Sequence, residues 1–393
     1  MSVATRGVAP PPVVPAAAHL SEDDLRRLAD ELDALRQEVM HDLGEADARY
    51  IRRVIAGQRT LEVAGRVLLF AASRRWAWWS GTACLTLAKI LENMEIGHNV
   101  MHGQWDWMHD PKIHSTTWEW DNACPADQWK HAHNVLHHTY TNVLGKDRDI
   151  GYTILRVNAG QPWRPYYLAQ PFYNLLFATQ FELGNALYDL GAQAESGEKT
   201  KEELLASLAD IGRKTARQAV KDYVAFPLLG ALSGRHNARR VLTADLAANI
   251  LRNIWVHTII FCGHFPGDVA VFPEETLTAE TRGQWYMRQL LGSADISGGP
   301  ILHLLTGNLS HQIEHHLFPD MPSNRLARIA PRIRDVCDRY GLPYHSASLP
   351  RQVARHWAKV TRLAFPTATK HGQGPAAPTP SHQRHQPLPR VIA

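Results

Sequence analysis

Residues 130–141, KHAHNVLHHTYT, and residues 309–320, LSHQIEHHLFPD, repeat one spacing: a histidine, three residues, then a pair of histidines. On a helix the first two histidines of each set share a face with Cβ atoms ~6 Å apart, and the third ring is turned away by about 100°. One short helix can then offer imidazoles to two metal ions. Residues 95–102, EIGHNVMH, add His98 and His102 at the same i, i+4 spacing, where an apolar run ends. Three such clusters beside apolar helices do not fit as core histidines, because a buried imidazole needs a partner and is costly at membrane depth. The expected metal ligands are therefore His98, His102, His133, His137, His138, His311, His315 and His316.

The ligand type points to the chemistry. Imidazole suits zinc, copper, iron and nickel. Neutral histidines with few carboxylates would hold two redox metals without cancelling their charge, and iron suits O2 activation and hydrogen abstraction from an unactivated carbon. Glu95, Asp147, Asp149 and Glu314 read as outer partners that fix imidazole tautomers. A soluble ferritin-like bundle could use Glu95 and His98 as an E-x-x-H motif, but it leaves the histidine triads unexplained. A histidine-rich metal transporter would carry its histidines in mid-helix, joined by intramembrane carboxylates. Here they lie at helix ends and in polar segments, which favours a closed site.

Outward from these clusters, the 393-residue chain is 45% hydrophobic, enough for one large domain. Its 42 Lys and Arg against 38 Asp and Glu exclude the concentrated charge of a nucleic-acid binder. Four scattered cysteines give no C-x-x-C pair and fit a reducing environment. Histidine, at 22 residues, is the outlier. Residues 1–19 and 367–393, rich in Pro, Ala, Gln and His, read as disordered tails that contain His371, His382 and His385. No signal-peptide core is present.

Ser21 before three acidic residues caps an expected amphipathic helix to about residue 43, within a cytosolic region 20–60. Residues 61–96 read as two apolar helices joined by a basic turn at Arg74 and Arg75. Further apolar runs cover residues 172–190, 223–232 and 242–262, the last holding Asp245 and Arg252. About four membrane-spanning helices result, an all-α integral membrane fold, although the mean hydropathy of −0.29 is low for one. Residues 322–344 read as a soluble basic helix on the same side as the N-terminus.

The order HNVMH, HNVLHH and QIEHHLFP, with ENMEIGHNVMHGQWDWMHDP, HHTYTNVLGKDRDIGY and NLSHQIEHHLFPDMPSNRLARIAPRI, resembles the three histidine boxes of the membrane fatty-acid desaturases, and especially the actinobacterial acyl-CoA desaturases. The resemblance covers roughly residues 50–350, and places a desaturase domain at 61–345 with a cytosolic extension at 346–366. It implies four transmembrane helices, a cytosolic cap over two irons, and O2-dependent insertion of a cis double bond, by resemblance Δ9 of stearoyl- or palmitoyl-CoA. Both termini and the active site are expected on the cytosolic face of the cell membrane.

The resemblance also implies a ninth histidine between the second and third boxes, near an Asn that holds a water. Asn253 and His257 match this pattern, and His264 is the rival. In the third box Gln312 stands where the family's histidine can be replaced by Gln, so His311 and Gln312 compete as ligand. Lys146 and Arg148 are candidates for the phosphates of an acyl-CoA. His109, His114 and His131 read as structural or outer residues, and His303 as a weaker candidate ligand. With no heme, flavin or nicotinamide fingerprint, electrons from NADPH or NADH must come through a separate flavin and iron-sulfur reductase. An acyl-lipid desaturase of other regiospecificity and a membrane hydroxylase use the same residues, and spacing does not separate them.

Overall fold

The computed structural model describes residues 14–267 and 269–367. His371, His382 and His385 lie outside them, with most of both expected tails. Residues 14–19 were expected within a tail but pack on the domain: Ala17 is buried and His19 Nε2 lies 2.8 Å from the Tyr340 carbonyl.

Helix α1 (Glu22–His41) opens at Ser21, whose hydroxyl accepts from the Asp24 amide while the Asp24 carboxylate accepts from the Ser21 amide. Its buried Leu28, Leu32 and Leu35 join the core formed with Tyr286, Ile313 and Leu326. α2 (Glu45–Leu69) and α3 (Arg75–Leu91) form a hairpin, and α3 continues through a wide π turn, Glu92–His98, into Asn99–Met101. The hairpin closes on small residues. A Cβ on Gly65 would stand 2.9 Å from the Leu85 side chain and 3.1 Å from the Gly81 carbonyl, so only glycine lets the helices approach this closely.

Next, α4 (Ala126–Lys130) runs into a second π turn, His131–His137, and then His138–Tyr140. The apolar run at 172–190 is broken at Gln180 into α5 (Gln170–Thr179) and α6 (Phe181–Ser196). A second hairpin follows, from α7 (Lys201–Val220) and α8 (Phe226–Ala231) to α9 (Asn237–His264). Its tip meets the first, with Asn237 Nδ2 donating to the Leu69 carbonyl at 2.9 Å and Arg240 to that of Ala72 at 3.0 Å. α10 (Arg282–Leu291), α11 (Gln312–Leu317), α12 (Ser323–Arg339) and α13 (Leu349–Leu363) complete the helices used below. The helical reading holds apart from a parallel pair of three-residue strands, β1 (Asp295–Ser297) and β2 (Ser346–Ser348).

Among the described residues α9 alone is long and apolar enough to cross a membrane by length and composition. The hairpins nevertheless expose Val63, Val67, Trp76, Trp79, Leu228 and Leu232. Four of their charged groups turn inward and neutralise one another: Arg66 donates to Asp222 at 3.0 Å and also pairs with Asp245, and Lys89 donates to Asp222 at 2.7 Å. Such pairing lowers the hydropathy of a segment without placing charge on its outer face.

α12 is fastened to the start of α2 by Arg325, whose Nε and Nη2 both donate to the Asp47 carboxylate at 2.6 Å, with Asp47 1% exposed. Asp47→Ala leaves that guanidinium without its buried partner. The expected loss is about 3–5 kcal/mol, the cost of breaking a buried ion pair from one side, measured as a lowered thermal midpoint in detergent relative to the wild type.

Candidate metal centre

The π turn that ends α3 carries His98, and His102 follows at its last turn. A second π turn carries His133 and His137, α11 carries His315 and His316, and α9 ends on His264. A π turn inserts an extra residue and re-aims the side chains that follow it, a device common at functional sites. The four segments bring their imidazoles to one buried place. The ligand atoms of His98, His102, His133 and His315 lie within 4.8 Å of one another, and those of His137, His264 and His316 form a second such group. His138 stands between the two groups, with its ring centroid 4.6 Å from that of His102 and 4.4 Å from that of His316.

The donor set fits metal ions. His98 Nε2 and His133 Nε2 approach to 3.3 Å, as do His264 Nε2 and His316 Nε2. The Nε2 atoms of His102, His137, His138 and His315 are buried without a hydrogen-bond partner. Burial of an unpartnered nitrogen is unfavourable, and convergent imidazole lone pairs need a cation between them. Burial first, and then mutual proximity, holds His133, His138, His315 and His316 well below the usual histidine range, hence neutral and able to ligate.

The outer faces of the rings are held. Asp147 accepts from His137 Nδ1 at 3.0 Å and is fixed by the backbone amides of Asn142 and Asp149. Burial disfavours the His137 imidazolium, but Asp147 and Asp149 outweigh it and raise its pKa to about 9. Asp149 lies 3.4 Å from His133 Nδ1 and accepts from the Tyr188 hydroxyl, and burial pushes its carboxyl up to about 7. His316 Nδ1 is 3.2 Å from both Thr141 Oγ1 and Gln289 Oε1. Glu95 instead accepts from Tyr50, Ser323 and Asn308, a brace between elements that touches no histidine ring.

Several expected site residues fall elsewhere. His257 Nε2 meets Asn174 Oδ1 at 3.0 Å and its ring stacks on Phe261, and Asn253 donates to the Thr179 carbonyl at 2.9 Å. His257 is not among the clustered rings, whereas its rival His264 is; Asn253 lines the cavity that opens against His98 and His133. His311 lies beside Asp295 and Glu314, 3.9 Å from each carboxylate, and against His303. Gln312 is the one that enters the cluster, with Nε2 2.9 Å from His264 Nε2. Lys146 pairs with Glu274 at 2.9 Å, and Arg148 pairs with Asp189 at 2.7 Å and with Glu198. Their charges are thus already matched within the chain. His131 and His114 pair with Glu198 and Asp106 away from the cluster.

A narrow cavity of about 40 Å³ opens against His98 and His133, walled by Trp120, Trp129, Phe181 and Ile260, with Arg252 and Asn93 on its polar side. Trp129 stacks on His133 with centroids 4.5 Å apart.

Comparison with known proteins places these features in context. The family model described as fatty acid desaturase matches residues 75–348. The chain is 49% identical over 368 residues to the NADPH-dependent stearoyl-CoA 9-desaturase of Mycobacterium tuberculosis, covering 93% of this chain and 86% of that protein. It is 26% identical over 274 residues to a sn-1 linoleoyl-lipid 6-desaturase of Synechocystis, covering 67% of this chain and 74% of the relative. It is 28% identical over 230 residues to an acyl-lipid (7-3)-desaturase of Rebecca salina, covering 55% of this chain and 48% of the relative.

Proposed function

Because the chain belongs to the fatty acid desaturase family, we propose that it introduces a cis double bond at Δ9 of a long-chain acyl-CoA, at a centre of two irons held by His98, His102, His133, His137, His138, His264, His315 and His316. The observation that carries this reading is the buried cage of imidazoles, in which the Nε2 atoms of His102, His137, His138 and His315 have no hydrogen-bond partner. Gln312 completes the side occupied by His264. His257 and His311 are left out of this set, and Asn253, which lines the cavity beside His98 and His133, would act only through water.

When bound, the irons supply O2 activation and removal of hydrogen from two neighbouring methylenes. The chain's own residues position and exclude. Asp147 holds His137 with Nδ1 outward, so that Nε2 points into the cage, and Thr141 and Gln289 do the same for His316. Met94, Trp120, Trp129, Phe181, Val256 and Ile260 form an apolar wall beside His98 and His133, along which an acyl chain would present its methylene pair to the cage. No acid or base selects the carbon.

The two hairpins serve as four membrane-spanning helices. From Arg75 to His98 the helix rises roughly 35 Å at 1.5 Å per residue, and α9 rises about 42 Å, each enough to span a bilayer. The exposed apolar side chains supply a lipid-facing band. α1, α12 and the histidine segments then form a cytosolic cap in the cell membrane, open to a separate flavin and iron-sulfur reductase.

Purified protein is expected to hold close to two irons per chain, counted by metal analysis and Mössbauer spectroscopy. It is expected to convert stearoyl-CoA to the Δ9 product only when NADPH is joined by an added reductase. Zinc in place of iron, or turnover with NADPH and no reductase, would count against the proposal. Product from a phospholipid-linked chain but none from the CoA ester would transfer the substrate to acyl lipids.

A further inference from the structure

A second cavity, of about 20 Å³ and thus large enough for a water, lies between α2 and α3 and is lined by Gln58, Arg59, Arg66, Glu92, Asn93 and Asp121 among others. Four of its lining groups present buried polar atoms with no hydrogen-bond partner: Gln58 Oε1, Arg66 Nε, Glu92 Oε2 and Asn93 Nδ2. Gln58, Glu92 and Asn93 are 2%, 5% and 4% exposed. Buried polar atoms are satisfied in folded proteins, by protein or by ordered water, and a cavity is hydrated when it is polar and dry when it is apolar. Four orphaned atoms around one cavity therefore point to water. Cationic Arg59, Arg66 and Lys89 face acidic Glu62, Glu92 and Asp121 across it, a balance that selects neither a single ion nor an acyl tail.

Asn93 also lines the larger cavity that touches His98 and His133. Its Oδ1 accepts from Arg252 at 2.8 Å, which fixes the side chain as the shared wall. At the other end Arg59 is 56% exposed and lies 3.8 Å from Glu92, so the second cavity reaches the protein surface. Ionisable groups at membrane depth mark functional paths more often than scaffolding. We infer that Gln58, Glu92 and Asn93 line a hydrated side path that meets the larger cavity at Asn93, bringing protons toward the histidine cage and taking product water away.

The path answers a requirement of the proposed desaturation, on which its role rests. One acyl chain loses two hydrogens, O2 takes up these together with two electrons from the reductase and two protons, and two waters leave. An acyl chain lying on the apolar wall of the larger cavity leaves its polar side, at Asn93 and Arg252, as the place where protons enter and water leaves.

The test uses the iron-loaded enzyme in nanodiscs with its reductase. Asn93→Leu is expected to lower kcat about tenfold with iron content unchanged, and to raise the solvent deuterium isotope effect on kcat. Asn93→Ser, small and polar, is expected to restore both, and Gln58→Leu to move them in the same direction as Asn93→Leu by less. A purely structural role for Asn93 would not move the isotope effect. Independently of turnover, X-ray hydroxyl-radical footprinting is expected to oxidise Leu85, which lines the cavity and is 1% exposed. An unmodified Leu85, or wild-type kcat and isotope effect in both leucine variants, would overturn the inference. A wild type that makes no desaturated product overturns the proposed function, while the footprint still decides whether the path is hydrated.

Discussion

His264→Ala is expected to strip iron from the purified protein and abolish desaturation, while His257→Ala leaves close to two irons per chain and most of the activity. Both histidines lie on α9, and seven residues separate them. Seven residues are almost two full turns, so the rings share a face, but they stand roughly 10 Å apart along the axis. Only His264, at the end of the helix, is level with His137 and His316, at centroid distances of 4.6 and 4.7 Å. His257 is already bonded to Asn174 and stacked on Phe261. Loss of an outer partner of a metal ligand typically costs about 10–100-fold in affinity or activity, and loss of a ligand from the cage should exceed that. Iron analysis of the two variants decides between them directly. Equal iron in both would return the ninth-ligand assignment to the open pair His257 and His264.

The same comparison shows how far the sequence could be read. His98, His102, His133, His137, His138, His315 and His316 were legible because each lies on a continuous helical segment where i, i+4 spacing translates into one face, and the structure brings all of them together. His311 stands apart from the cage, in a group with Asp295 and Glu314, because its spacing to His315 assumed that the helix already contained it. α11 begins at Gln312, and His311 precedes it with φ −104° and ψ 59°. A residue outside the helix does not share its face, so the ring swings to Asp295 and Glu314 and Gln312 takes the inward position.

His264 left a weaker signal, a histidine at the end of an apolar helix as in the first box, but without a partner at i+4. The apolar character of the two hairpins was partly hidden for a different reason. Arg66, Lys89, Asp222 and Asp245 count as charge in any hydropathy window although they neutralise one another inside the hairpins. Pairing across helices 156 residues apart in sequence, as between Arg66 and Asp222, leaves no local trace.

Asp147→Asn is expected to keep the fold yet lower iron affinity and turnover by about 10–100-fold, the range for partners that orient metal-bound histidines. Asp147 is buried and its carboxylate meets His137 Nδ1 at 3.0–3.1 Å through both oxygens, so either oxygen accepts the ring proton and directs Nε2 into the cage. An amide of the same shape can still accept from the ring, through one oxygen instead of two, but it brings no negative charge to strengthen the imidazole as a donor. It can also turn its NH2 toward Nδ1, which favours the tautomer with the proton on Nε2 and closes that ligand position. The carboxylate also accepts from the amides of Asn142 and Asp149 at 2.7 and 2.9 Å, contacts that the asparagine can keep only in part. A modest drop in thermal midpoint should therefore accompany the loss of iron. Iron titration of the apoprotein, read beside the melting curve, separates the two effects: weakened binding at nearly unchanged stability supports an orienting role, whereas unfolding with intact affinity in the folded fraction would reduce Asp147 to a structural brace.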